Sequence, residues 1–169
     1  MLYLLDANVL IDAGRDYYPP DRVPEFWEWL LFQGETGVVK IPEEMYEEVT
    51  QGRGDVAVWL RQDNVKRALL LSEEVDPDLV IRVVDGGYAP DLTQVEVEAV
   101  GRDPFLIAYA LAAPQDRCVV TTEGRKPSRQ RANRKIPDVC DGFGISVCHT
   151  FEMLRVLNFT TNWRQAAAE

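Results

Sequence analysis

The sequence predicts an α/β fold, a single domain built on a central parallel sheet flanked by helices. Three observations lead there. Short apolar runs at Leu2–Leu5, in "RCVVTTE" and in "ISVCH" have the length of strands and lack the alternation of a half-solvated sheet, so they read as strands buried on both faces. Between them lie stretches with apolar residues at helical spacing, and strands alternating with helices imply a parallel sheet. A chain of 169 residues, 46% of them apolar, also has enough material for one substantial core.

The elements follow in order. Leu2 to Leu5 form the first strand and run straight into Asp6, with Asn8 two residues later. Asp6 is either a helix N-cap, a role that Asp and Asn favour, or a carboxylate at the C-terminal end of a parallel strand, where open α/β folds bind their ligands. The stretch from about Pro24 reads as a helix with Phe26, Trp27, Leu30 and Leu31 on one apolar face. Those aromatics suit a core better than a base-stacking platform. "VVKIPEEMYEEVTQG" gives a short extended piece and then a helix with Pro42 in its first turn, ended by Gly52 and Gly54. "VAVWLRQ" continues the helical layer. "KRALLLSEEVDPDLVIRVVDGGYAP" allows a strand and a helix or two helices, because short apolar runs do not separate these. In "RDPFLIAYALAAPQ", Asp103 can cap a helix, Pro104 suits its first position, and Phe105, Ile107, Ala108 and Leu111 face inward. A buried strand then ends near Glu123. After a basic loop come a short helix in "IPDVCDGFG" stopped by glycine, a last strand in "ISVCH" and a last helix in "TFEMLRVL". The domain is expected to span 1–158, with 159–169 a flexible tail.

Composition narrows the function classes. No apolar run approaches the ~20 residues of a membrane span, and the first basic residue is Arg15, so no basic signal-peptide start is present. Cys118, Cys140 and Cys148 form no C-x-x-C pair. They point to reduced thiols in a cytoplasm, packed as small hydrophobes, and away from a disulfide framework or zinc site. With His149 the only histidine, a His-based zinc site or Ser-His mechanism has no basis, and His149 itself is expected to be a satisfied structural residue. A net charge of −10 argues against a nucleic-acid partner. The average hides a local patch, however. Arg125, Lys126, Arg129, Arg131, Arg134 and Lys135, six of the eighteen basic residues, fall within the eleven positions of "RKPSRQRANRK". That stretch is either a strip that holds phosphates or a solvated loop.

Asp6 and Glu123 both end predicted strands, and in a parallel sheet such ends are neighbours. Two carboxylates ~4 Å apart repel by about 4 kcal/mol at an effective dielectric of 20, and a fold keeps such an arrangement when a cation offsets it. Hard oxygen ligands without Cys or His suit Mg²⁺ or Mn²⁺. "YLLDANVLID", "IPEEMYEEV", "GRDPFLIAYALA" and "CVVTTE" occur in the order and approximate spacing found in the PIN-domain nucleases. Through these and "IPDVCDGFGISVCHTFEML", nearly the whole chain resembles that superfamily. Within it, the sequence is most similar to a PIN-like subgroup of prokaryotic proteins of toxin–antitoxin type.

The resemblance implies a role for each matching residue. Asp6 matches the family's first acid, at the end of the first strand. Glu48 matches the helix acid, in preference to Glu43, Glu44 and Glu47, which read as a solvated face. Asp103 matches the acid that begins the central helix. Glu123 takes the place of the Asp in the family's Thr-x-Asp, one methylene longer, with Asp138 of "IPDVC" as the alternative fourth acid. Asn8 and Thr121 match polar residues that orient the site. The implied activity is metal-dependent endoribonuclease cleavage, with Asp6, Asp103, Glu48 and Asp138 or Glu123 available to Mg²⁺ or Mn²⁺ and residues 125–135 holding the RNA backbone. The implied partner is a small antitoxin, and a homodimer is one assembly the resemblance allows. Two rivals stand beside this reading. Aspartyl-nucleophile phosphatases also start with a strand ending in Asp, but their D-x-D has Asn8 in its second place here. A degenerate fold of the same type would bind RNA or protein without cutting.

Overall fold

The computed structural model describes residues 1–166. Four parallel strands form one sheet in the order β2-β1-β3-β4: β1 Leu2–Leu5, β2 Val39–Lys40, β3 Arg117–Thr121 and β4 Ser146–His149. In β1 and β3, Leu4, Leu5, Val119 and Val120 are fully buried, as unbroken apolar runs require. Register fixes the strand ends: Leu5 pairs with Val120, and Thr121 pairs with His149. The chain leaves β1 for β2 on one side and later returns to β3 on the other. The crevice between the ends of β1 and β3 is therefore the topological switch point, the position at which open parallel sheets bind ligands.

Helices flank this sheet. The first, α1 (Ala7–Asp12), starts directly after Asp6 and runs into a π turn, Ala13–Tyr17. Helices α2 (Pro24–Glu35), α3 (Glu43–Thr50), α4 (Asp55–Leu60) and α5 (Asp63–Leu69) follow around β2. The ambiguous middle resolves as helices: α6 (Pro77–Val83) with a π turn at Val84–Tyr88, then α7 (Gln94–Val100). Only a single parallel bridge, Ile41 to Leu70, hints at the strand alternative. A capping box fixes the start of α7, with Thr93 and Glu96 each satisfying the other's backbone amide.

Helix α8 (Asp103–Leu111) is the central one. Pro104 and every residue from Leu106 to Leu111 are buried, and a helix apolar all round belongs inside a core. Phe105, expected to face inward, is only half-buried, whereas Leu106 is fully buried. Asp103 is the first residue of α8, and Arg102 occupies the cap position. The carboxylate is thus freed from capping its own helix. Beyond β3, α9 (Ile136–Phe143) ends on Gly144 in the left-handed region at φ 67°, followed after β4 by α10 (Thr150–Val156).

The expected boundary at 158 does not coincide with the end of packing. Phe159 sits among Tyr18, Phe26 and Trp29 at ring separations of 5.8, 5.7 and 5.1 Å, and Trp163 lies 5.1 Å from Phe32. Trp163 opens a last short helix, α11 (Trp163–Ala166), and Arg164 pairs with Glu28 at 2.9 Å. Two aromatics so close in sequence provide the apolar area that holds this segment down. Residues 167–169 lie outside the described residues. No described helix is long and apolar enough to cross a membrane.

Candidate functional site

The site is built around one hydrogen bond across the switch point. The Asp6 amide donates to the Val120 carbonyl at 2.9 Å, which extends the parallel pairing one residue past β1 and fixes where the side chain leaves the sheet. The Asp6 carboxylate, 3% exposed, accepts a 2.8 Å hydrogen bond from the hydroxyl of Thr121, itself 1% exposed. The same Thr121 oxygen accepts the Glu123 amide at 3.2 Å. One hydroxyl thus orients Asp6 and sets the turn that carries Glu123. Asp6 occupies the position before α1 but makes no side-chain capping bond. The Asn8 amide is near enough to favour its charged form, while the Asn8 side chain is exposed. Asn8 therefore acts on Asp6 through its backbone.

Four acids share one electrostatic field here. Burial pushes Asp103 up to about 7, the charges of Asp6, Glu123 and Glu48 push it further, and Lys135 opposes them. Asp6 is raised to about 6, chiefly by burial; the Thr121 and Asn8 bonds work against the rise, and Glu123 and Glu48 add to it. Desolvation and like charge both favour the neutral acid, so this is a place where a cation would be strongly attracted. Glu48 reaches the cluster from α3 with an exposed side chain, on the rim of an apolar cleft of about 380 Å³ that includes Ile11, Pro19, Val49 and Val56.

The other α3 glutamates do not form a simple solvated face. Arg102 pairs with Glu47 at 3.0 Å and donates to the Glu44 carbonyl at 2.6 Å. Glu44 is half-buried, with Oε2 unpartnered and its pKa raised by burial first, then by Glu43 and Glu47. Glu43 and Glu47 are exposed as expected, and Glu44 is the departure.

Glu123 and Asp138, the two choices for a fourth acid, do different things. Glu123 lies beside Asp6 and Asp103, and its oxygens accept Lys135 Nζ at 2.5 Å and the Ile136 amide at 2.9 Å. It thereby caps α9 from a distant loop. Asp138 is 8% exposed and accepts the Lys126 amide at 2.7 Å. Its carboxylate pins the basic loop.

That loop, read as either a strip that holds phosphates or a solvated loop, has most of its cations paired within the structure. Arg125 grips Asp141 in a two-point ion pair at 2.8 and 3.0 Å. Arg131 does the same with Glu96, at 2.7 and 2.9 Å, and adds Asp91 at 2.8 Å. Arg134 donates to the carbonyls of Gly87 and Asp138, and Lys135 faces the acidic cluster through Glu123. Lys126 and Arg129 are the two whose side chains are exposed without an ion pair among the described residues. The acidic partners of the others lie elsewhere in the sequence, so the local charge count gave no sign of them.

One residue at the site was not singled out by sequence, and another differs from its expectation. Tyr88, 7% exposed at the end of the π turn after α6, has a buried hydroxyl with no hydrogen-bond partner among the described residues. The phenol is raised far above its ordinary value by burial, then by the charge of Asp103. A tyrosine in "DGGYAP" carries no pattern that could have located it. His149, expected to be satisfied and structural, is exposed at the end of β4 with its ring 5.7 Å from that of Phe151. Cys118 and Cys140 are buried and Cys148 half-buried, all three as free thiols.

Among the described residues, no three His, Cys, Asp or Glu side chains stand close enough to enclose a metal ion as they are. The donor chemistry nonetheless fits a hard divalent cation. All four side chains offer oxygen, and Mg²⁺ keeps several waters while binding one or two carboxylates directly. Asp6, buried, and Asp103, half-buried, are like-charged and have the most to gain from it.

A family model described as a domain of unknown function, DUF4411, matches residues 3–161, and the chain belongs to that family. No curated protein and no solved structure matches it.

Proposed function

We propose that this chain is a metal-dependent endoribonuclease of PIN type, with Mg²⁺ or Mn²⁺ at the acidic cluster. The observation that carries the proposal is the meeting of Asp6, buried, and Asp103, half-buried, two carboxylates from distant segments raised to about 6 and 7 at the switch point of the sheet. Asp6 and Asp103 would hold the ion directly, with Glu48 and Glu123 within reach of its waters. The ion, when bound, supplies an activated water and charge neutralisation at the phosphate. Thr121 keeps Asp6 in one orientation, Lys135 holds Glu123, and the side chains of Lys126 and Arg129 are available to backbone phosphates. No side-chain nucleophile is needed. The family resemblance extends the proposal to a cytoplasmic toxin held by a small antitoxin that places a basic group at the acidic cluster. Co-purification with the product of a neighbouring reading frame tests that part.

Incubating the protein with total cellular RNA, with Mg²⁺, Mn²⁺ or EDTA, and mapping the cut ends tests the activity. Cleavage should need the ion and disappear in Asp6→Asn and Asp103→Asn. Absence of ion-dependent cleavage by folded protein would overturn the proposal in favour of a binding module. The pairing of Glu123 with Lys135 is the one feature that favours this second reading, since it leaves that acid already neutralised.

A further inference from the structure

We infer that the cavity between the π turn after α1 and the junction of β4 with α10 is a subsite for a single-ring nucleobase, a pyrimidine, beside the acidic cluster. The inference rests on the nuclease reading and gives it a base preference. Asp12, Tyr17, Thr122, His149, Thr150 and Phe151 line the cavity, whose volume is about 170 Å³. Cavities of roughly 150 Å³ take a benzene-sized ring, so a single ring is the best match to the space.

Its walls suit a flat polar ring. The Phe151 ring has His149 stacked near it at 5.7 Å and 25°, and Tyr17 edge-on at 5.1 Å and 84°. His149 and Tyr17 are both exposed, so they offer aromatic surface to an incoming base, the usual way proteins grip unpaired RNA. The polar half is unfinished. Thr150 is 4% exposed, yet its hydroxyl has no hydrogen-bond partner among the described residues. A buried hydroxyl is normally satisfied, and this one, enclosed in the cavity wall, gains a partner if the side chain turns toward a ligand atom. A hydroxyl rotates to donate or accept, so Thr150 with Thr122 can meet the edge of either uracil or cytosine.

Position connects the cavity to the chemistry. Thr121, which holds Asp6, pairs in register with His149, and Thr122 is the next residue along. A nucleotide whose base enters this cavity therefore lies one strand away from the carboxylates, as a neighbour of the scissile phosphate would.

Fluorescence anisotropy with four homopolymeric RNA octamers in EDTA tests this without cleavage or bound ion. The U or C octamer should bind tighter than A and G by about fivefold, the size of one net hydrogen bond. Thr150→Val should remove that preference while melting no lower than wild type, and His149→Ala should weaken pyrimidine binding selectively. Equal affinities in the wild type, a purine preference, or a preference that survives both variants would overturn the subsite. Ion-dependent cleavage with no base preference removes the subsite alone. Neither binding nor cleavage of any RNA removes the nuclease reading and the subsite with it.

Discussion

Asp6 and Asp103 each keep a proton to higher pH in the folded chain than in the unfolded one, so stability is linked to pH. Their folded values, about 6 and about 7, lie above the ordinary 3.8. The folded state therefore binds more protons between about pH 4 and 7, and stability falls as pH rises through that window. Asp16, Glu96 (about 2) and Asp141 are lowered by their arginine partners; they act the other way, losing their contribution only at lower pH. In EDTA the melting temperature should fall between about pH 4.5 and 7.5, and an Asp6→Asn, Asp103→Asn double variant should flatten that slope. At pH 7 without ion, Asp6→Asn alone should melt at or above wild type, at roughly 2–4 °C per kcal/mol. Mg²⁺ or Mn²⁺ should then raise wild type and scarcely move the variant. An Asp6→Asn protein that melts well below wild type in EDTA would mark Asp6 as structural. Tyr88→Phe, which deletes an unpartnered buried hydroxyl, should also melt no lower than wild type.

Elements rather than single residues decide what was legible beforehand. The strands β1, β3 and β4 and the helices α2, α3 and α8 stand out because each is a single pattern, an apolar run or a 3.6-residue stripe. The Thr93-x-x-Glu96 spacing that starts α7 also stands in the sequence as a capping box, although no apolar run drew attention to it. The helix in "IPDVCDGFG" was legible as α9, but its cap was not, because the cap is Glu123, thirteen residues before Ile136. The same is true of Arg131, whose acids lie 35 and 40 positions away. Asp6, Glu48, Asp103 and Glu123 were legible as separate motifs; the pairing of Glu123 with Lys135 was not. This double life of Glu123 gives a prediction opposite in sign to that for Asp6. Glu123→Ala removes a helix cap and frees Lys135, so it should cost about 0.5–2 kcal/mol, read as a lower melting temperature in EDTA. No change would mean that the loop, and not Glu123, starts α9.

At the scale of the whole molecule, the net charge is −10, and pairing among the described residues leaves Lys126 and Arg129 as the basic loop's free cations for RNA. Reversing Lys126 and Arg129 to Glu should weaken RNA binding and lower its salt dependence, by about 0.7 in slope for each phosphate no longer neutralised. Reversing Arg131 should instead lower stability, because Asp91 and Glu96 lose their shared partner. Unchanged RNA binding in the first variant would show that the backbone is held elsewhere. The bond between Asp6 and Thr121 also sets a clock. It joins residues 115 positions apart, and ribosomes add roughly 5–20 residues per second, so β1 leaves the ribosome on the order of ten seconds before the strand that completes its site. During that interval only two-residue β2 is available to pair with it, and Asp6 lacks the hydroxyl that orients it. A chain interrupted anywhere before Thr121 therefore carries no assembled cluster, and whatever the cluster does begins only once β3 has been made.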